Sequence, residues 1–102
     1  KPVQKADTNI AVDNDVSAYY TVIDVFAHDR LGILYDIINT LVQHGCYVEV
    51  SKISTKVEQI VDSFYIKDIF GHKILAKKKL SEIKDALMKV IDEDGEFEQQ
   101  AG

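Results

Sequence analysis

The chain of 102 residues has one cysteine, one proline and one arginine. With Cys46 alone, no internal disulfide can form, and a reducing compartment fits. No apolar run approaches the roughly 20 residues that a membrane-crossing helix needs. No charged segment followed by an apolar one opens the chain in the manner of a secretory signal. These absences point to a cytoplasmic protein, and a start at Lys1 rather than methionine suggests a processed chain or, better, a fragment of something larger. Positive charge is also scarce. Twelve lysines and arginines against 17 acids leave a formal charge of −5, which argues against a general affinity for nucleic acid. Lys77-Lys78-Lys79 is the one basic cluster, no aromatic residue interleaves with it, and it reads as a solvated helix start.

What is present describes one globular domain. Hydrophobic residues at 46% and charged residues at 28% suit a two-layer core, although a chain of this size is marginal as a monomer. Lys1 to Asp7 is polar and expected to fray. A short strand, Thr8 to Asp13, meets turn chemistry at Asn14-Asp15 and leads into a second strand, about Ala18 to Ala27. By the two-residue period Thr21, Ile23, Val25 and Ala27 share one face and Val22, Asp24 and Phe26 the other. Ile33 to Gln43 repeats apolar residues at helical spacing, and Gly45 stops it. Two further strands, Tyr47 to Lys56 and Gln59 to Ile69, join near Val57-Glu58. A last helix, about Ala76 to Glu93, carries Leu80, Ile83, Leu87, Val90 and Ile91 as its stripe. Asp94-Gly95 should close it, with a disordered tail over residues 94–102.

The order is ββαββα. Two single-striped helices can bury their stripes on one face of a four-stranded antiparallel sheet, which makes an α+β sandwich. The other sheet face, with Val22 and Phe26, has no helix to cover it, so a dimer is expected.

One junction carries chemistry. The strand Tyr20 to Ala27 passes through His28-Asp29-Arg30 and Gly32 into the first helix. The first turn of a helix leaves backbone N–H groups unpaired at the positive end of its dipole, a ready site for a small anionic group. Gly32 has no Cβ, so a ligand or a second chain can approach the backbone there. The plainer reading is a tight turn with Asp29 as N-cap and nothing bound.

The segment Thr21 to Asp68 resembles the ACT domain, a small-molecule-binding regulatory module, of the type carried by nitrogen-regulatory uridylyltransferases. The matching pieces are Thr21-Val-Ile-Asp-Val-Phe-Ala-His-Asp-Arg30, Gly32-Ile-Leu-Tyr-Asp-Ile37, Ser51-Lys-Ile-Ser-Thr55, Asp62-Ser-Phe-Tyr-Ile66 and Gly71-His-Lys-Ile74. The likeness spans about residues 8 to 92. It implies a ferredoxin-like ACT sandwich with a circular shift, in which Thr8 to Asp13 fills the place beside the second strand that a final strand usually takes. It also implies a ligand site at Asp29, Arg30, Leu31, Gly32, Ile33 and Leu34, with Tyr47 and Val48 opposite, at a subunit or domain interface. The expected ligand is an amino acid, glutamine foremost. The expected partner is another ACT domain, as a homodimer or a tandem pair, with no cofactor and no catalytic residues. Leu31 stands where the family commonly has proline, and Tyr47 where many members have asparagine. The same fold without a ligand would be a dimerisation or interdomain module.

Other constellations are weaker. His44 and Cys46 lie two apart, with His28 and Asp29 on another turn, but the spacing of structural zinc is absent. Cys46 ahead of a strand reads as a buried small hydrophobe rather than a nucleophile. Arg30 on an anion-binding turn suggests an acylphosphatase-type hydrolase, yet no asparagine is placed to orient water. Lys52 and Lys56 near Asp62 and Glu58 read as cross-strand charge pairs of small value.

Overall fold

The structure, a computed structural model, describes residues 8–56 and 59–101, with side chains at 8–49 and 59–92. Its elements are β1 (Asn9–Asp13), β2 (Thr21–His28), α1 (Ile33–Gln43), β3 (Tyr47–Lys56), β4 (Gln59–Lys67) and α2 (Lys77–Ala101). The strands form one antiparallel sheet in the order β1-β2-β4-β3, leaving β1 and β3 as edges. The α+β sandwich expected from the pattern is present, with β1 beside β2 in the place proposed for it.

The two-residue period sorts the central strands as expected. Thr21, Ile23, Val25 and Ala27 of β2 and Ile60, Phe64 and Ile66 of β4 are buried under the helices. Ile33, Ile37 and Leu41 of α1 and Ile83, Leu87 and Ile91 of α2 meet them. On the opposite face Phe26 is 37% exposed, but Val22 is only 3% exposed although no helix covers it. Val22 lies opposite Asp13 on one side and Tyr65 on the other, and Tyr20 packs edge-on against Tyr65 at 5.7 Å between ring centroids. Neighbouring side chains on the sheet therefore shield it.

Three boundaries differ from the sequence reading. The β1–β2 link occupies residues 14–20 rather than a two-residue turn. The Asp13 carboxylate accepts the N–H groups of Asp15 and Val16, and the Ser17 hydroxyl accepts those of Tyr19 and Tyr20, which draws this backbone away from the ladder. Thr21 is fully buried because its hydroxyl donates to the Asn14 side chain and accepts the Ile74 N–H at 2.9 Å, tying that link to the segment ahead of α2. The second difference is at α2, which runs through Gly95 to Ala101. Glutamate, glutamine and alanine after the glycine are good helix formers and offset its cost of about 1 kcal/mol. The third is the α1 N-cap, described with the site. Register sets Lys52 opposite Ser63 and Lys56 opposite Gln59, while Asp62 lies opposite Val25 and Ile53. The lead-in 1–7 and the turn at Val57-Glu58 lie outside the described residues.

The end of α1 follows the local rule. Gly45 has φ 78°, its N–H bonds to the Val42 carbonyl at 3.0 Å, and the Cys46 N–H bonds to the Leu41 carbonyl at 3.0 Å. That paired arrangement satisfies carbonyls that the last turn would otherwise leave open.

Candidate functional site

β2 ends at His28, and four residues carry the chain over the sheet end into α1. Gly32 is the N-cap, with φ 80° and ψ 0°, and no side chain caps the helix. Asp29, expected in that role, is exposed and three residues too early. The left-handed conformation comes at little cost to glycine alone, which is why the turn pivots there. The Gly32 carbonyl accepts the Asp36 N–H at 3.0 Å and the Arg30 carbonyl the Ile33 N–H at 3.3 Å. The N–H groups of Leu34 and Tyr35 belong to the first turn, where a helix offers no acceptor of its own.

Beside this turn is a cleft of about 430 Å³, lined by residues 29–35 and by Ile60 and Asp62 of β4. Its size suits a small molecule. Six of the eight residues expected at a ligand site, Asp29, Arg30, Leu31, Gly32, Ile33 and Leu34, are thus brought together. Tyr47 and Val48 are not. Tyr47 pairs in register with Lys67 and Val48 with Ile66, at the opposite end of the sheet. Val48 packs half-buried against the core, and Tyr47 lines a separate cleft of about 680 Å³.

Arg30 turns inward. Its guanidinium lies 2.9 Å from the Asp36 carboxylate and donates to the carbonyls of Leu31 and Val90, each at 3.3 Å. The arginine thereby fastens the turn to both helices, and its charge is answered by Asp36. Leu31, by contrast, is 98% exposed. Sequence reasoning missed Asp62, Ile60 and Tyr35 as lining residues. The signal for Asp62 was available: it is the one acid in the buried alternation Ile60, Asp62, Phe64, Ile66, and it is 2% exposed.

At the far cleft the Tyr20 hydroxyl donates to Glu49 at 2.7 Å, which holds the phenol above its ordinary pKa, and the Lys67 ammonium sits 4.4 Å over the Tyr20 ring. Cys46 is buried, and desolvation pushes its thiol up, the reverse of what a nucleophile needs. His44 Nδ1 is paired with the Thr40 carbonyl at 2.9 Å. Among the described residues no three His, Cys, Asp or Glu side chains gather as a metal would require, and no helix is long and apolar enough to cross a membrane.

The family model for the ACR9-like, ACT-like domain matches residues 9–94. The chain is 41% identical over 93 residues to the bifunctional uridylyltransferase/uridylyl-removing enzyme of Cereibacter sphaeroides, covering 91% of this chain and 10% of that protein. The enzymes of the same name from Ruegeria pomeroyi and Rhodospirillum rubrum are 42% and 40% identical over 87% and 80% of the chain, and 10% and 9% of their own lengths. The chain therefore spans about a tenth of the curated relatives it matches. No solved structure matches it significantly. With the matched family model covering both helices and all four strands, the chain belongs to the ACT-like domain family.

Proposed function

We propose that this chain is a regulatory, non-catalytic ACT domain of a cytoplasmic, nitrogen-regulatory uridylyltransferase, sensing an amino acid, with glutamine as the ligand. The observation that carries the reading is the cleft at the start of α1, where an uncapped helix N-terminus opens beside residues 29–34 of the expected site. A ligand carboxylate placed there meets backbone N–H groups and the positive end of the helix dipole. Because Tyr47 stands at the other end of the sheet, its participation requires a second ACT unit. The edge strand β3 supplies a route: antiparallel pairing of two β3 edges sets the Tyr47 end of one unit beside the Lys56 end of the other. A ligand at such a junction favours one orientation of the pair by binding it more tightly, and the pair passes that orientation to the catalytic part of the parent.

The commitment of Arg30 to Asp36 and Val90 favours a second reading, a ligand-free pairing module whose turn is fastened for structural reasons. Calorimetric titration with the twenty amino acids separates the two. Saturable heat with glutamine supports the sensor, and no heat with any of the twenty leaves the pairing module.

A further inference from the structure

We propose that α1 carries an interface for a second copy of this chain: a second apolar stripe that packs antiparallel against the same stripe of its partner, alongside the paired β3 edges. This rests on the pairing in the proposed function and assigns the side chains that make it. Ile33, Ile37 and Leu41 form the helix's first stripe, buried under the sheet. Tyr35, Ile38 and Val42 form another by the same three- and four-residue spacing, and Leu31 in the turn precedes Tyr35 by four. Ile38 is half-buried against the core, but Tyr35 is 70% and Val42 55% exposed, and Leu31 is almost wholly so. A helix needs one apolar stripe for its own core, so a second one left in water points to a partner.

The position of the stripe says which partner fits. Asp36 is tied through Arg30 to the Val90 carbonyl, so that side of α1 faces α2. Ile38 follows Asp36 by two residues and stands about 200° round the helix from it, on the side away from α2. Because α1 contacts β3 while α2 contacts β1, the stripe borders the β3 edge. Antiparallel pairing of two β3 edges then brings the two stripes together across a twofold axis. The bulky end, Leu31 and Tyr35, meets the partner's Val42, and the two Ile38 side chains lie near the axis. Charge agrees, since Asp29 is exposed at the first end and Lys67 lines the cleft at the second. Leu31 and Tyr35 also line the cleft at the start of α1 and Val42 the far one, so the pairing sets each cleft beside the other kind on the partner.

The test uses two variants at exposed positions, Tyr35→Glu and Val42→Lys, each checked for an unchanged circular dichroism spectrum and then followed by sedimentation equilibrium beside the unaltered chain. Alone, each variant sets a charge against an apolar residue at both symmetry-related contacts, and its dimer should dissociate at least about tenfold more readily. Mixed in equal amounts, the two should recover most of that loss as a heterodimer, in which one contact becomes an ion pair and the other keeps the original Tyr35 and Val42. That recovery is specific to an antiparallel arrangement with position 35 opposite position 42. Variants that dimerise as well as the unaltered chain overturn the proposal and leave the stripe to some other partner. Weakened variants that stay apart on mixing overturn the antiparallel alignment. An unaltered chain that remains monomeric at high concentration removes the pairing reading itself, and the role of the stripe with it.

Discussion

Gly32 shows how one residue decides a turn. An added Cβ would meet no atom within 4 Å, so space is not what requires glycine; φ of 80° is. Gly32→Ala should lower stability by about 1–2 kcal/mol through backbone strain, with no ligand present. Asp29→Ala is the contrast. Asp29 is exposed and caps nothing, so its loss should stay within about 0.5 kcal/mol, and urea denaturation of the two variants checks both values. Asp68 makes a second case at this scale. Its carboxylate accepts the N–H groups of His72 and Phe70, each at 2.9 Å, and these bonds hold its pKa below the ordinary carboxyl value. A depressed folded pKa means the support this side chain gives the 68–72 turn is present above the ordinary value and lost as pH falls through the depressed one. The amide proton shifts of Phe70 and His72 should titrate together at that lower pH; movement at the ordinary carboxyl value would contradict the turn geometry.

Among the elements, α2 forms against its own charge. Lys77, Lys78 and Lys79 crowd its first turn, with no acid there and no base in its last turn, so the side-chain charges oppose the helix dipole at both ends. Burial of Ile83, Leu87 and Ile91 under the sheet outweighs that, since three buried aliphatic side chains contribute about 1.5–3 kcal/mol each. Reversing one exposed charge should therefore help. Lys78→Glu is expected to raise stability by about 0.3–1 kcal/mol at low salt, and by less in high salt, where screening weakens the dipole interaction. Thermal melts at two ionic strengths measure this.

For the whole molecule, the question is what covers the surface that two helices leave open. Phe26 on the uncovered sheet face, Tyr47 at the β3 edge and Leu31 at the turn are all exposed, and a small two-layer domain has few other ways to bury them than by pairing. Sedimentation equilibrium should find dimers that dissociate on dilution. A monomer at high protein concentration would count against the pairing on which both functional readings depend.

Element order, the inward faces of β2 and β4 and the stop at Gly45 were legible in the sequence, because each depends on a two- or four-residue period or on the backbone freedom of a single glycine. So was the junction at residues 29–34, since a strand running into a helix announces itself in one dimension. What the turn does with its side chains was not. Arg30 finds the Val90 carbonyl 60 residues away, and no local pattern foretells that partner. Asp62 reaches the cleft only because β4 lies beside β2 in the sheet, while Tyr47 is carried to the opposite end by the length of α1. Local sterics and periodicity wrote the elements into the sequence; the direction of each charged side chain depended on which distant backbone and charge the folded core set beside it.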